Sequence, residues 1–375
     1  MKLDPKSINT LVVKLGTNLL SGKRAFDGQV MEELVKEMCR LKKAYDFNLL
    51  VVSSGAVGCG MNTLGLTQRP ADLPHKQAVA AVGQASLVHA YQTLFRTYGD
   101  GLCAAQVLLS LGDLDDRQSY LNVRNTLHTL FEMRTVIPIL NENDSTAVEE
   151  LRFSDNDTLA AKIAAKLNAS LLIILTDVDG LYDGNPQQDK NARLIDHVEV
   201  ITPAMLDQAG GAGTATGTGG MRTKLEAAKI ACAAGVPVAI ANGHYPNVLH
   251  GVFDGSVPRT TFAPARTALS HRKRWIAFGR AIQGTVYVDE GARNALIHHG
   301  KSLLAAGIVD VDGDFDGGDA VEIATPDGEV IARGLVNYSS RDLARIKGCK
   351  SSEIDAVLGY KDFDEAIHRD NMVLL

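Results

Sequence analysis

The sequence predicts an α/β protein: a three-layer αβα domain built on a mostly parallel sheet, followed by a small β-rich domain. Apolar runs recur along the first 245 or so residues and are nearly continuous rather than alternating, as in strands covered on both faces. Longer helical patterns separate them, which implies right-handed crossovers and parallel neighbours. After Gly243 the pattern changes to short alternating runs between turn residues.

Thr10 to Leu15 reads as the first buried strand, a helix follows from about Gln29 to Ala44, and Leu49 to Ser53 forms the second strand. Val136–Leu140, Leu171–Leu175 and Val236–Ile240 are further strands of the same kind. From about His250 to Arg274, Pro258, Pro264, several threonines and the basic cluster Arg272-Lys273-Arg274 mark a boundary. Beyond it, Thr285–Asp289 alternates as a half-buried strand does, and Ala320–Ile323 and Val330–Ala332 flank the turn residues Pro326-Asp327-Gly328. The expected division is residues 1–260 for the first domain, 261–274 for a linker, 275–360 for the β-rich domain and 361–375 for a C-terminal tail.

At 375 residues the chain has room for two domains. Lys plus Arg number 38 against 44 Asp plus Glu, a formal net charge of −6, which lacks the basic character of a dedicated nucleic-acid binder. An aromatic content of 5% also disfavours extensive base-stacking platforms. No apolar run is long enough to span a membrane, and the opening residues Met1-Lys2-Leu3-Asp4-Pro5 lack a secretion signal's apolar core. The five cysteines are odd in number and widely spaced, which suits buried thiols in a reducing compartment better than zinc or disulfides. A cytoplasmic protein is expected.

Several familiar motifs fail on inspection. Gly300-Lys301-Ser302 resembles the end of a P-loop, but Ala295 stands where the earlier glycine is required. No Gly-x-Gly-x-x-Gly follows the first strand. Asp312, Asp314, Asp316 and Gly317 begin like a calcium loop, yet Ile323 holds the twelfth position, so a hairpin turn is expected there. No site composed entirely of protein metal ligands is expected.

Four clusters remain, all at strand ends, where open α/β sheets bind ligands. In Lys14-Leu15-Gly16-Thr17-Asn18, the lysine either snorkels to the surface or, with Gly16 shaping a tight turn, faces a ligand. Ser53-Ser54-Gly55-Ala56-Val57-Gly58 opens a helix whose free amides suit an anion, or is a packing turn. Asn141-Glu142-Asn143-Asp144-Ser145 and Asp155-Asn156-Asp157 can hold an ammonium group and orient cations, or form a solvated loop. Gly217-Thr218-Gly219-Gly220-Met221-Arg222-Thr223-Lys224 feeds a helix with a lysine in its first turn, an arrangement suited to phosphates. Two lysines and two glycine loops on one sheet edge suggest phosphoryl transfer without a P-loop.

These segments, together with Thr176-Asp177, occur in the order seen in the amino-acid kinase family, which the chain resembles over most of its length. Gln77-Ala78-Val79-Ala80-Ala81-Val82-Gly83-Gln84 and Leu175-Thr176-Asp177-Val178-Asp179-Gly180-Leu181-Tyr182 strengthen the resemblance. Residues from about Arg274 to Tyr360 resemble a PUA domain. The resemblance is greatest to members that phosphorylate the γ-carboxylate of L-glutamate at the start of proline synthesis. Members acting on N-acetylglutamate or aspartate are the alternative.

The resemblance implies that Lys14 and Lys224 contact the ATP phosphates and that Asp157 holds both lysines. Ser54, Asp144 and Asn156 would bind glutamate. Thr176, Asp177, Thr218, Gly219, Gly220, Met221, Arg222, Thr223 and Lys224 would bind the nucleotide. Arg222 stands where relatives usually carry a small residue, and either touches the nucleotide or points into solvent. Mg²⁺ is implied as cofactor, riding mainly on phosphate oxygens. Also implied are proline as feedback inhibitor, a homo-oligomer (dimer or tetramer), and functional coupling to glutamate-5-semialdehyde dehydrogenase. RNA binding through the PUA-like domain is disfavoured by Asp310, Asp312, Asp314, Asp316 and Asp319, which repel phosphate. No general base is needed, because a side-chain carboxylate with a pKa near ~4.3 is already ionised at neutral pH.

Overall fold

Strand β1 (Thr10–Leu15) is buried along its whole length, and its alternating side chains serve two separate cores. Leu11, Val13 and Leu15 enter the core on one sheet face, and Val12 enters the core on the other. Lys14, two residues after Val12, projects to the second face. The computed structural model describes residues 3–20, 27–145, 156–186, 189, 191–209, 220–265 and 282–375. It divides into two units, Met1–Ala268 and Leu269–Leu375.

In the first unit, α1 (Gly28–Ala44) leads from β1 to β2 (Asn48–Ser53). Then come α2 (Ala56–Leu64), α3 (Leu73–Tyr98), β3 (Cys103–Leu109), α4 (Leu111–Asp115), α5 (Arg117–Glu132) and β4 (Val136–Glu142). The second half runs through α6 (Asn156–Leu167), β5 (Leu171–Thr176), β6 (His197–Val198), α7 (Pro203–Gln208), α8 (Met221–Ala233), β7 (Val238–Asn242), α9 (Val248–Asp254) and β8 (Arg259–Phe262). The strands form one sheet in the order β3-β4-β2-β1-β5-β7-β8-β6. Its pairings are parallel except that of β7 with β8. The chain fills the β2 side of β1 first and then crosses to β5, so the strand order switches between β1 and β5. Ligands of such sheets bind beyond the carboxyl ends of the strands at this switch.

The mostly parallel α/β sheet expected from the apolar runs is present, and each of the five strands expected in it is found within two residues at either end. Strand β3 lacks the apolar run that marks the others, because Ala104-Ala105-Gln106 occupies its first half and it lies at the sheet edge. Thr261 and Phe262, expected in a linker, belong to β8, and Ala263 N and Ala265 N donate to Val198 O and Cys232 O. The basic cluster Arg272-Lys273-Arg274 lies outside the described residues.

Helices α2 and α3 meet at the backbone. A Cβ on Gly83 would overlap Ala56 O, and one on Gly60 would overlap Val79 O. This close approach seats the first turn of α2 directly after Ser54. On the same sheet face, Glu37 of α1 accepts a 2.7 Å hydrogen bond from His250 N, in the first turn of α9. The helix has no side-chain cap of its own at Asn247, so Glu37 takes that role. Burial pushes the Glu37 carboxyl up, and the His250 and Leu249 amides oppose it.

The second unit has β9 (Ile282–Val288), α10 (Glu290–His299), β10 (Ile308–Gly313), β11 (Ala320–Ala324), β12 (Val330–Leu335), α11 (Ser340–Ile346), α12 (Ile354–Leu358) and β13 (Met372–Leu374). Its sheet order is β10-β9-β11-β12-β13, with β9 and β11 parallel. Strands β10 and β11 therefore flank β9 on opposite sides. The segment from Asp314 to Asp319 crosses between them instead of making the expected hairpin turn. Residues 361–375, expected as a tail, are woven into this unit: β13 pairs with β12, and Leu303 N donates to Ile367 O. The buried Ala366, Ile367, Met372 and Val373 explain why, since leaving them in water would cost more than ordering the chain.

Gly83→Val should destabilise the first unit by about 3 kcal/mol, the upper range for overpacking, because backbone lies where the side chain must go. Urea unfolding checks this; an unchanged midpoint would show that α2 and α3 separate without cost.

Candidate functional site

The carboxyl ends of β1, β2, β4 and β5 and the amino ends of α6 and α8 converge on Asp157. Helix α6 starts at Asn156, so Asp157 sits in its first turn, where the helix dipole favours a carboxylate. Lys14 reaches it from β1, with Nζ 2.5 Å from Oδ1. Lys224, in the first turn of α8, places Nζ 3.3 Å from Oδ2. An ammonium at a helix amino end is disfavoured by the dipole, so Asp157 offsets an otherwise adverse placement. All three side chains are buried, at 1% exposure for Lys14, 0% for Asp157 and 6% for Lys224. Thr223 Oγ1 lies 3.4 Å from Asp157 Oδ2 and donates to Gly220 O at 2.9 Å, fixing the start of α8. One carboxylate between two ammonium groups leaves a net positive charge, the condition for receiving phosphate.

A neutral network adjoins this triad. Asn156 Nδ2 donates to Ser54 Oγ at 2.8 Å and to Asn141 Oδ1 at 2.9 Å, linking the ends of β2 and β4 to α6. Asn141 Oδ1 also accepts from Glu142 N. Asn156 Oδ1 is buried and has no hydrogen-bond partner among the described residues. Such a carbonyl is suited to accept from an ammonium group. Gly55, at φ 112°, turns the chain from β2 into α2, and Ser54 N donates to Leu15 O at 3.2 Å. Behind Ser54, the fully buried Tyr91 donates to Ser53 Oγ at 2.7 Å, and Ser53 Oγ donates to Ser54 O at 2.9 Å.

Asp144 lies just past β4. Burial pushes its carboxyl up to about 6, and the Arg69 guanidinium opposes that shift. Among the described residues no hydrogen bond joins Asp144 to Ser54 or Asn156.

Of the residues expected to bind the nucleotide, Thr176 and Asp177 lie at the end of β5, and Met221 to Lys224 lie in the first turn of α8. Thr176 is buried at the end of β5 and donates to Asp177 Oδ1 at 3.1 Å, while Asp177 is exposed. Asn18 Nδ2 donates to Asp177 Oδ2 at 3.1 Å. Gly220 caps α8, and Met221 packs against the core beneath. Arg222 turns along the outer face of α8 to an exposed pair with Glu226 at 3.1 Å, which favours the solvent-facing alternative. Thr218 and Gly219, and also Asp155, lie outside the described residues.

The structure thus brings Lys14, Asp157, Thr223 and Lys224 together, and separately joins Ser54 to Asn156. Sequence reasoning did not single out Asn141 or Asn18. Both lie within strand-end clusters, but only the fold reveals that one accepts from Asn156 at the centre of the carboxamide network and that the other reaches the β5 loop.

Comparison with known proteins agrees with this arrangement. The model of the amino acid kinase family matches residues 9–242, and that of the PUA domain matches residues 284–358. The chain is 48% identical over 366 residues to a glutamate 5-kinase of Caldanaerobacter subterraneus subsp. tengcongensis, covering 97% of both chains. It is 47% identical to a glutamate 5-kinase of Moorella thermoacetica, covering 97% of this chain and 96% of that one. Identity to a glutamate 5-kinase of Thermoanaerobacter is 46%, with 97% of both chains covered. With its sheet, its strand-end clusters and this match all in register, the chain belongs to the amino acid kinase family.

Proposed function

We propose that the protein has glutamate 5-kinase activity, transferring the γ-phosphoryl group of ATP to the side-chain carboxylate of L-glutamate to give ADP and γ-glutamyl phosphate. The observation that carries this reading is the buried clamp of Lys14 and Lys224 on Asp157, beside the carboxamide network of Ser54, Asn141 and Asn156. The similarity to glutamate 5-kinases over 97% of the chain supports the same substrate.

The chemical difficulty is repulsion between a carboxylate nucleophile and a triphosphate. Lys14 and Lys224 stand fixed where negative charge gathers on the transferring group, and no reorganisation is needed when it does. The start of α8, which Gly220 leaves without a side-chain cap, adds to this field. Asn156 Oδ1 and the ionised Asp144 would hold the glutamate ammonium, and Ser54 its carboxylate, so the γ-carboxylate points along the sheet edge toward the lysines. Mg²⁺ fits this donor set as a phosphate-bound ion, since the protein groups nearest the transfer are cations. When bound, it neutralises phosphate charge.

The same reading carries a cytoplasmic enzyme with proline as its feedback inhibitor and a homo-oligomer of two or four chains. Among the described residues no helix is long and apolar enough to cross a membrane. An acyl phosphate is prone to hydrolysis, which supports hand-over to glutamate-5-semialdehyde dehydrogenase.

With ATP, Mg²⁺ and hydroxylamine, glutamate should yield the hydroxamate and ADP, while N-acetylglutamate and aspartate should not. Turnover of either of those acids in place of glutamate would reassign the substrate. Lys224→Ala should lower kcat by about 10²-fold or more, the loss typical of one charge-stabilising group; near-normal kcat in folded protein would remove Lys224 from the transfer step. Asp144→Ala should raise the glutamate KM about tenfold while leaving the ATP KM nearly unchanged.

The Asp144 carboxyl also predicts a pH profile. Its folded pKa of about 6 lies above the ordinary 3.8, so at pH 5 the free enzyme holds the neutral acid. Glutamate kcat/KM should therefore rise with pH up to about 6 and then level, and Asp144→Asn should lose this limb. The sign for stability is opposite. The folded state holds this proton more tightly than the unfolded chain, so the group's contribution to stability falls as pH rises from 3.8 to about 6.

A further inference from the structure

Three loops meet where β1, β5 and β7 end, and hydrogen bonds lace them together. Gly16 N donates to Leu175 O at 3.1 Å, and Gly243 N donates to Thr176 O at 2.9 Å. Leu19 is fully buried and packs where a Cβ on Gly243 would stand. Leu20 N closes the turn back to Gly16 O at 3.3 Å. The β1 loop is thus anchored on both sides of Asn18, at Gly16 and at Leu19-Leu20. Between those anchors the Asn18 side chain crosses to Asp177, 159 positions away in the chain.

We infer that Asn18 is a positioning residue for the nucleotide: its amide holds the Asp177 carboxylate at a fixed place relative to the Lys14 end of the same loop. This deepens the kinase reading and rests on it.

The chemistry of the contact supports the role. The two Asp177 oxygens accept from neutral donors, Thr176 Oγ1 on one side and Asn18 Nδ2 on the other. Among the described residues no cation pairs with Asp177. A carboxylate oriented by neutral donors keeps its charge and its remaining lone pairs for the hydroxyl and amino groups of a ligand. Being exposed, Asp177 would otherwise sample several rotamers, and ordering it on binding would cost affinity. Asn at position 18 is the side chain that meets these demands. Alanine has no donor, and aspartate would oppose one carboxylate to another at hydrogen-bond distance. The phosphate end of the site, at Lys14 and Gly16, is four residues or fewer from Asn18, so a single short loop sets the spacing between phosphate and Asp177.

The test is calorimetric titration of the full chain with MgATP in the absence of glutamate, together with steady-state kinetics. Asn18→Ala should weaken ATP binding about fivefold, the effect of one hydrogen bond, and raise the ATP KM to match. The glutamate KM should stay within about twofold, a split that a general loss of structure would not produce. Asn18→Asp has the same size and shape, so it tests the contact even if the alanine variant folds poorly. It should weaken ATP binding further, and more so at low salt. In an Asp177→Ala background, which lacks the carboxylate that Asn18 holds, Asn18→Ala should cost little further ATP affinity, because the two side chains act through one contact. Wild-type ATP affinity in folded Asn18→Ala, or equal rises in both KM values, would overturn the inference while leaving the kinase reading intact. Failure of the wild-type chain to bind ATP would overturn the kinase reading and this inference with it.

Discussion

The site depends on one buried carboxylate. Asp157 has no solvent exposure and touches ammonium groups that come from β1 and from α8, two elements separated by some 200 residues of sequence. Without it, two like charges would be buried together. Leaving a buried charge uncompensated costs about 3–5 kcal/mol, comparable to a large share of a domain's net stability. The constraint works in both directions: Asp157 needs the lysines to be buried, and the lysines need Asp157 to lie side by side. The three groups together carry one excess positive charge in a place of low dielectric, where it would act more strongly on an anion than it would in water.

Around that point the fold supplies a rigid frame rather than further charge. Ser54, Asn141 and Asn156 are joined by neutral hydrogen bonds from three different elements, and Tyr91 buttresses Ser53 from the opposite core. The backbone contact of α2 with α3 holds the helix that starts just after Ser54. Glu37 performs a comparable service for α9 by capping it from α1. Each device removes freedom from a strand-end loop, which is what a reaction limited by positioning two anions requires.

The PUA unit shows a different balance. Its sheet places β9 between β10 and β11, and its final strand comes from the last residues of the chain. Local signals pointed to a hairpin at Asp312–Gly317 and to a loose tail, because turn-forming residues and short apolar runs carry no record of which neighbour a strand will choose. Pairing across long sequence distances decided both.

The fold class and most strands were legible in the sequence, because a strand buried on both faces must be apolar throughout, and the strand-end clusters were legible as candidates, because a loop suited to phosphate is rich in glycine, hydroxyl and lysine. Lys14 stood out as a charge inside the buried run of β1, and Lys224 as a cation at a helix start. Those are local conflicts, visible in a single chain segment. It took the packed chain to show that one carboxylate resolves both, that Asn156 ties Asn141 to Ser54, that Asn18 reaches Asp177, and that Arg222 pairs outward with Glu226. Such contacts depend on sheet order and helix orientation, which bring together residues whose local sequence gives no sign of their partners.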